Sequence, residues 1–298
     1  MDAVFVTGAT GYVGRAFVAA ARAAAVPVVA LARTPPAAPA DGVTWVAGDV
    51  TADGPWTRAL AGCRAVVHLA AVTGKAAPDA YRRVHVEGTR RVLDAARAAG
   101  VARVVHVSTV AVAFRERPHY PYAATKAEAE ELVRGAAPGA VIVRPTMVVG
   151  RDAPVLTGLA KLACAPVVPV FGDGRARVQP VAVADLAADL LLLARGEGAA
   201  GSCVDSGGAD VVTIEELLRR IRTAAGRGAA RVLHLPARPV RGLLGLVEPL
   251  LRPLLPLTAG QIATFLNDGV ARPGPLDALR TAPRRALDDV LREACARG

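Results

Sequence analysis

Residues 4–14 have the sequence VFVTGATGYVG, in which a short apolar run meets a glycine-rich turn. The apolar run Val4–Val6 is typical of a buried strand, and helix-forming residues follow the turn. Gly8 permits a tight turn, Gly11 lets the backbone approach a pyrophosphate, and Gly14 allows the helix to pack closely on the strand. The free N–H groups at the helix start would then face the anion. The segment therefore predicts a dinucleotide-binding strand–turn–helix unit.

The alternation of apolar runs and alanine-rich stretches continues along the first half of the 298-residue chain. Strands are predicted at 4–6, 26–31, 43–46, 65–69, 104–107 and 141–143. Helices are predicted at 12–24, 56–61, 79–99 and 122–137, and beyond the first half at 183–194 and 214–225. Continuous apolar runs indicate strands that are buried on both faces, and the β-α-β order implies a parallel sheet.

The predicted fold class is therefore α/β, a doubly wound parallel (Rossmann) sheet with a smaller C-terminal substrate lobe. After Gly150 the pattern loosens, and Pro- and Gly-rich connections join shorter elements. We expect a dinucleotide-binding domain over 1–150, to which 178–206 return, and a substrate or lid lobe over 151–298.

Composition restricts the partners that the chain could have. The net charge is +10, but the basic residues are scattered and almost all arginine, and aromatic residues make up only 4%. No recognised nucleic-acid-binding module accompanies the charge, so no nucleic-acid partner is expected. The cysteines, Cys63, Cys164, Cys203 and Cys295, are far apart without a CxxC motif, so neither a metal site nor a disulfide framework is expected.

The sequence carries no long apolar run and no recognisable targeting segment. No stretch of about eighteen uninterrupted apolar residues appears, so no membrane span is expected. Asp2 precedes a strand-like run at once, which argues against a signal peptide. The expected location is cytoplasmic, as a monomer or homodimer that acts on a small molecule.

The ends of the predicted strands supply candidate cofactor contacts. Arg33 follows the second strand, where an NAD-selective site would have a carboxylate, so Arg33 with Arg15 favours a 2′-phosphate and hence NADP(H) over NAD(H). Asp49 could accept from the adenine amino group or be a turn residue. The candidate cofactor contacts near these strand ends are Gly8, Thr10, Gly11, Tyr12, Val13, Gly14, Arg15, Arg33, Asp49, Val50, Leu69, Ala70 and Ala71.

A Tyr–Lys pair provides candidate catalytic residues. Tyr122 and Lys126 are four residues apart on a predicted helix and therefore share one face. A nearby cation would lower the pKa of the phenol and prepare it for proton transfer. Thr109, with Ser108 as the alternative, ends the fifth strand and could hydrogen-bond a substrate carbonyl, or merely cap the strand. Tyr120 has no matching lysine and is interpreted as loop packing.

As a set, these motifs resemble the short-chain dehydrogenase/reductase superfamily, in its extended or atypical branch (NAD-dependent epimerase/dehydratase-like). The resemblance covers roughly 3–225 and comes closest to the group of the NADPH-binding accessory subunit of respiratory complex I. It rests on TGATGYVG at 7–14, GDV at 48–50, HLAA at 68–71, VEGT at 86–89, VST at 107–109, YAATK at 122–126, RPT at 144–146, PVAVAD at 180–185, SGG at 206–208 and TIEEL at 213–217.

The resemblance implies roles for individual residues. Tyr122 would be the general acid/base, and Lys126 would also hold the nicotinamide ribose. Thr109 or Ser108 would polarise the substrate, and the backbone near Pro145 and Thr146 would meet the nicotinamide.

Two positions depart from the family pattern. His85 stands where the family often has Asn, which changes the local hydrogen bonding. Sugar-nucleotide epimerases usually carry an Arg seven residues before the Asp matched by Asp185, but here that position is Val178 and Arg177 is one residue off. A one-residue shift in an extended segment reverses the side chain's direction, so a sugar-nucleotide substrate is disfavoured.

The apolar stretch 240–257 contains Pro249, Pro253 and Pro256, which would kink or split any helix there. Three interpretations remain open: a core or lid of the substrate lobe, a subunit contact, or a peripheral membrane contact. A lid of this composition would suit an apolar substrate.

Three functions are compatible with the sequence. The first is an NAD(P)-dependent reductase or dehydrogenase, and the second is an NAD-dependent epimerase or dehydratase of a sugar nucleotide. The third is a non-catalytic NADP(H)-binding protein that serves in assembly or redox sensing. The intact Tyr–Lys pair argues against this third function.

Overall fold

The computed structural model describes residues 3–38, 40–196, 198–251 and 258–296. In chain order the strands are β1 (Val4–Thr7), β2 (Val28–Ala32), β3 (Val43–Ala47), β4 (Ala65–His68), β5 (Arg103–Val107), β6 (Val141–Pro145), β7 (Val148–Val149), β8 (Val167–Phe171), β9 (Arg177–Val178), β10 (Val181–Ala182), β11 (Cys203–Ser206), β12 (Val212–Thr213) and β13 (Arg231–Leu235). The helices are α1 (Tyr12–Ala23), α2 (Pro78–Arg82), α3 (Gly88–Ala98), α4 (Pro121–Ala136), α5 (Pro154–Ala163), α6 (Val183–Arg195), α7 (Ile214–Ala224), α8 (Ala237–Leu251), α9 (Ala263–Leu266), α10 (Pro275–Leu279) and α11 (Leu287–Cys295).

Seven parallel strands form the central sheet in the order β11-β6-β5-β4-β1-β2-β3. Val4 of β1 is opposite Val28 of β2 on one side and Ala65 of β4 on the other. The strand order therefore reverses at β1, and a crevice opens beyond the carboxyl ends of β1 and β4, where open α/β sheets bind ligands. The predicted doubly wound α/β fold is confirmed.

Both faces of the sheet are buried, which explains the continuous apolar strands. Val4 and Val6 of β1 pack with Phe17 of α1 and Leu190 of α6 in one core. Phe5 points to the opposite face, where its ring stacks on Trp56 at a centroid distance of 6.3 Å in a second core. Alternation of side chains along a strand produces this division.

Residues after Gly150 contribute both to the sheet and to a third core. β11 pairs in parallel with β6, and α6 packs on α1. The third core contains Leu156 of α5, Val170 of β8, Leu217 of α7 and Leu291 of α11. This C-terminal lobe lies beside the sheet rather than within it.

Two predicted helices differ from the structure. The segment predicted at 56–61 forms a 3-10 helix, Pro55–Leu60, because it is short and Trp56 Nε1 donates to Ala52 O at 3.1 Å before it. The helix predicted at 79–99 contains a π-helical turn, Arg83–Glu87, between α2 and α3. There Thr89 Oγ1 donates to His85 O at 2.5 Å, so a side chain bonds a carbonyl that belongs to the backbone ladder of an α-helix.

Candidate active site

The glycine turn between β1 and α1 has the shape of an anion cradle. Gly8 has a φ of +67°, and a Cβ there would lie 2.7 Å from Ala70 N. A Cβ on Gly14 would lie 2.1 Å from Gly8 O, so any side chain would push α1 away from the turn. Gly11, the N-cap of α1, offers no side chain to bond the first N–H groups. These residues fit a dinucleotide pyrophosphate.

A hydroxyl that sequence reasoning missed connects this turn to the end of β4. Thr7 Oγ1 accepts from Leu69 N at 3.2 Å and from Ala70 N at 3.1 Å, and it lies 2.6 Å from His68 Nδ1. Burial, with the charge of Lys126, lowers the pKa of His68 to about 3, so the imidazole is neutral. The Thr7 hydroxyl therefore donates to His68. Ala71, which follows in the same loop, is exposed.

Exposed arginines lie at the adenosine end of the crevice. Arg33 is exposed directly after β2, and Arg15 Nη1 donates to Thr10 O at 2.8 Å. Asp49 Oδ1 accepts from both the backbone N–H and the hydroxyl of Thr51 at 2.8 Å, so its turn role is visible in the structure.

The remaining apolar candidates of the cofactor set pack inward. Val50 is buried against the start of α3, and Val13 packs on the core of the sheet. Tyr12 packs on the C-terminal lobe, with its hydroxyl buried near Gly150.

The catalytic candidates Tyr122 and Lys126 both lie on the first turns of α4, which begins at Pro121. Burial raises the pKa of Tyr122 to about 12, although a hydrogen bond with Thr109 opposes the increase. Lys126 Nζ donates to Val107 O at 2.8 Å at the end of β5. The prediction that Lys126 lowers the pKa of the phenol is wrong for this structure, since burial dominates and the hydrogen bond that lowers it comes from Thr109.

The Lys126 ammonium is itself strongly perturbed. Only 3% of the residue is exposed, and burial lowers its pKa to about 8, with opposition from Glu130. Its charge in turn lowers the pKa values of His68, His85 and His106. Lys126 therefore influences the pKa values of buried histidines in the interior of the site as well as the entrance of the site.

Thr109 and Ser108 point to different sides of the strand end. Thr109 lies close enough to Tyr122 to lower the pKa of its phenol, and Thr109 Oγ1 accepts from Ala111 N at 3.2 Å. Ser108 is buried and helps to lower the pKa of Glu130 on the interior side. The geometry therefore brings Thr109, and not Ser108, beside the Tyr122 hydroxyl.

Pro145 and Thr146 lie where β6 ends, at the same carboxyl edge. Thr146 N donates to Ser206 O at 3.0 Å, and Thr146 Oγ1 donates to Gln179 O at 2.5 Å. The main chain is thus held in place at this edge of the crevice.

A cavity of about 110 Å³ lies beside Tyr122. Tyr81 and Tyr120 line it, and their rings lie 6.2 Å and 5.6 Å from the Tyr122 ring. Tyr120, interpreted from the sequence as loop packing, packs beside Gly260, and its ring also forms a wall of the cavity. A Cβ on Gly260 would lie 2.8 Å from the Tyr120 ring, so glycine permits the close approach of the opposite wall. Sequence reasoning missed Tyr81, although its spacing to His85 is helical.

The C-terminal segment forms that opposite wall. Glu248 of α8, Thr258 and Gly260 line the cavity, and Glu248 Oε2 accepts from Ala259 N at 2.9 Å. Within the stretch 240–257, α8 continues to Leu251, so the helix is not split at Pro249, while Pro253 and Pro256 lie outside the described residues. Among the described residues, none of the helices has both the length and the apolar character needed to cross a bilayer.

The position associated with diphosphate binding in sugar-nucleotide epimerases is occupied here by Val178, which packs in the third core. Val178 is 3% exposed within the third core. Arg177 binds Asp268, with Nη2 at 2.7 Å and Nε at 2.9 Å from Oδ2. The nearest arginine to that position is therefore already paired.

Comparison with known proteins identifies the family. The family model described as the NAD dependent epimerase/dehydratase family matches residues 4–202. A ketoreductase of Stigmatella aurantiaca, named for 4-hydroxy-2-methyl-3-oxo-4-farnesyl-3,4-dihydroquinoline-1-oxide, is 40% identical over 169 residues, or 50% of this chain and 51% of that protein. The ceramide reductase of Caulobacter vibrioides is 35% identical over 200 residues, or 64% of this chain and 61% of that protein.

The matches therefore span between half and three fifths of these two relatives. Among solved structures, the dTDP-glucose 4,6-dehydratase DesIV of Streptomyces venezuelae with NAD bound superposes with a TM-score of 0.65. It is 26% identical, and the superposition covers 78% of this chain and 84% of that chain. The glycine cradle at the β1–α1 turn agrees with these matches, and the chain belongs to the NAD-dependent epimerase/dehydratase family.

Proposed function

We propose that this chain is an NAD(P)-dependent oxidoreductase that interconverts a carbonyl and an alcohol on an apolar small molecule. The observation that carries the proposal is the position of the Tyr122 hydroxyl. Tyr122 lines the cavity and lies beside the end of β5, at the carboxyl edge that also holds the nucleotide cradle. A proton donor, a substrate space and a cofactor crevice therefore meet at one edge of the sheet.

Each residue has a defined task in the reduction. A bound nicotinamide supplies the hydride. Tyr122, neutral at physiological pH because burial raises its pKa, donates a proton to the substrate oxygen as negative charge develops there. Thr109 orients the Tyr122 phenol and also hydrogen-bonds the substrate oxygen. Lys126 places a positive charge at the end of β5, beside the place where negative charge develops on the substrate oxygen. Oxidation follows the same steps in reverse.

NADP(H) is the preferred cofactor in this proposal. Arg33 is exposed directly after β2, no carboxylate stands between Leu31 and Thr34, and Arg15 lies at the start of α1. A guanidinium at this place pairs with a 2′-phosphate, whereas NAD-selective sites use a carboxylate for the 2′-hydroxyl. Pro145 and Thr146 are proposed to meet the nicotinamide, and Lys126 its ribose.

An apolar substrate fits the cavity better than a sugar nucleotide. Aromatic and proline side chains line the wall around Tyr122, and the arginine nearest the diphosphate position is bound to Asp268. The two relatives named above carry farnesyl-quinoline and ceramide in their names, which supports the same class. The epimerase/dehydratase alternative would need another cation for the diphosphate.

The described part of the segment, residues 240–251, is proposed to contribute to a lid, since Glu248 of α8 lines the cavity and accepts from Ala259 N. A peripheral membrane contact is the second function for this segment. It is favoured by Leu243 and Leu246 of α8, which are 63% and 79% exposed. Sedimentation with lipid vesicles, repeated on Leu246→Glu, tests that contact, and equal sedimentation of both proteins would contradict it.

The proposed activity is tested by following NADPH oxidation at 340 nm with a panel of ketones. The panel contains β-keto acyl compounds of increasing chain length and a quinone-like ring ketone. A UDP-sugar is incubated with the protein separately and its products are separated by chromatography, because epimerisation or dehydration leaves the absorbance at 340 nm unchanged. We expect turnover that rises with apolar chain length and none with the UDP-sugar. Turnover of the UDP-sugar alone, with retention of NAD by the protein, would instead support the epimerase/dehydratase alternative.

A further inference from the structure

One loop borders both the nucleotide crevice and the cavity. This loop, residues 69–77 between β4 and α2, is called here the β4 loop. Its Ala70 N–H bonds Thr7 beside the glycine turn, and its Ala76 lines the cavity. Most residues of the loop are small, and most are exposed. Its position therefore depends on support from elsewhere in the fold.

His85 provides that support from the π-helical turn. The residue is 1% exposed. Its Nε2 lies 3.1 Å from Val72 N and 3.0 Å from Val72 O, in the middle of the β4 loop. Its Nδ1 lies 2.9 Å from Thr125 Oγ1 on α4. One imidazole thus joins the loop to the helix that carries Tyr122.

Both neutral tautomers of His85 are fully paired. With the proton on Nδ1, the ring donates to Thr125 Oγ1 and accepts from Val72 N–H, while the Thr125 hydroxyl donates to Pro121 O at 2.8 Å. With the proton on Nε2, the ring donates to Val72 O and accepts from the Thr125 hydroxyl. Burial, with the charge of Lys126, lowers the pKa of His85 to about 2. The ring is a neutral link and not a carrier of protons.

Tyr81 holds the same loop at a second place. Its hydroxyl donates to Gly74 O at 2.5 Å and accepts from Ala76 N at 3.2 Å. The rings of Tyr81 and His85 both pack on Tyr122, at centroid distances of 6.2 Å and 5.5 Å. Residues four apart on a helix share a face, and the π-helical turn keeps both side chains directed at the loop.

We infer that His85 is a positioning residue that fixes the β4 loop relative to Tyr122, an inference that rests on the proposed function. The bond to Val72 fixes the position of the β4 loop at the crevice. The bond to Thr125, together with the ring contact, fixes the position of the Tyr122 phenol. Without His85, the Tyr122 phenol and the β4 loop beside the crevice no longer keep a fixed position relative to each other. A shift of this kind lowers kcat more than it lowers nucleotide affinity.

Three substitutions separate the two halves of the link. In His85→Gln the amide group lies as far along the side chain as Nε2, so it can both accept from Val72 N–H and donate to Val72 O. In His85→Asn the amide lies as far as Nδ1, so it reaches Thr125 and not the loop. His85→Phe keeps the ring and loses every hydrogen bond. His234→Phe, at an exposed histidine of β13 in the C-terminal lobe, is the matched control.

Hydrogen–deuterium exchange of the β4 loop, measured without nucleotide, gives the first result. We expect exchange at Val72 to be at least about tenfold faster in His85→Phe and His85→Asn, and close to the parent rate in His85→Gln and His234→Phe. Peptides of β1 and β4 report global unfolding, and the Gln–Asn difference remains decisive if His85→Phe is unstable. Parent-like exchange at Val72 in both His85→Phe and His85→Asn would overturn the inference.

Steady-state kinetics and nucleotide titration give the second result. With the ketone found in the panel, His85→Asn is expected to lose about tenfold or more in kcat while its Kd for NADPH changes less than about threefold. Equal losses in His85→Gln and His85→Asn would also overturn the inference, because the loop bond would then not matter. Failure of the parent protein to bind nucleotide would refute the proposed function alone, since the exchange result stands without nucleotide.

Discussion

At the scale of single residues, the site combines a phenol that stays protonated with an ammonium that is close to losing its proton. Burial raises the pKa of Tyr122 to about 12 and lowers that of Lys126 to about 8, so the two pKa values are pushed apart. A hydrogen bond with Thr109 opposes part of the increase in the pKa of Tyr122. Separation of the pKa values of two neighbouring groups is typical of acid–base sites.

The first prediction at this scale concerns Tyr122→Phe. Removal of the hydroxyl deletes the proton donor without changing the ring that packs on His85 and Tyr81. We expect kcat for ketone reduction to fall by about 10²–10⁴-fold, the range typical of general acid catalysis. The Kd for NADPH, measured by fluorescence, should stay within about twofold of the parent value, because the hydroxyl acts in the transition state. A uniform loss of binding would instead weaken binding and leave kcat unchanged. A variant with more than half of the parent kcat would show that another group donates the proton.

The second prediction concerns pH. Lys126 has a folded-state pKa of about 8, so its charge is complete well below pH 8 and is lost as the pH rises through that value. Tyr122, at about 12, remains protonated throughout this window. The kcat/KM for reduction should therefore be flat on the acidic side and fall above about pH 8. In Lys126→Arg, whose charge persists, the fall should move to higher pH. A parent profile flat to pH 10 would exclude Lys126 as the titrating group.

At the scale of elements, function is concentrated where strands end. β1, β2, β4, β5 and β6 each end in or beside a candidate site segment, because parallel strands bring their carboxyl ends to one edge. α1 contributes an uncapped N-terminus, and α4 contributes the proposed catalytic pair Tyr122 and Lys126. The end of β2 is where the choice between the two nicotinamide cofactors is expected to be made.

The prediction for this element is a change in cofactor preference. Arg33→Ala should weaken NADPH binding by about tenfold or more, the loss expected for one charged hydrogen bond, while NADH binding changes little. Arg219→Ala, an exposed arginine on α7 in the C-terminal lobe, is the matched control. Competitive titration of both nucleotides provides the measurement. Equal weakening for NADPH and NADH would place the role of Arg33 outside 2′-phosphate recognition.

Local patterns in the sequence were sufficient for the elements that local physics controls. The β1–turn–α1 unit and the pairing of Tyr122 with Lys126 follow from glycine placement and helical spacing. The π-helical turn at His85 did not follow, because it depends on Thr89 and on contacts with Val72 and Thr125 from other segments. The direction of the Tyr122 pKa shift also required the fold, since burial is a tertiary property.

At the scale of the whole molecule, the C-terminal stretch is fastened to the sheet by buried charge. Asp189 of α6 is 1% exposed and binds Arg280 and Arg284, with shortest distances of 3.0 Å and 2.5 Å. Its Oδ2 also accepts from the Ser206 hydroxyl of β11 at 2.6 Å. A buried carboxylate thus joins α6, β11 and the residues that follow α10.

The prediction at this scale concerns stability. Asp189→Ala leaves the largely buried Arg284 guanidinium without its carboxylate and Arg280 with Asp277 alone, which costs about 3–5 kcal/mol of unfolding free energy. Asp94→Ala, at an exposed ion pair with Arg97, should cost less than about 0.5 kcal/mol. Urea denaturation of both variants gives the comparison. Similar midpoints for the two would contradict the structural role assigned to Asp189.

Fluorescence titration of the purified protein with NADPH and with NADH, repeated on Tyr122→Phe, measures whether the glycine cradle binds a nicotinamide nucleotide independently of the phenol. We predict saturable binding of both nucleotides, tighter for NADPH, with affinities nearly unchanged in the variant while ketone reduction is lost. Absence of binding for either nucleotide, in protein shown by circular dichroism to be folded, would contradict the claim that the glycine cradle and the Tyr122 edge form one nicotinamide-dependent active site.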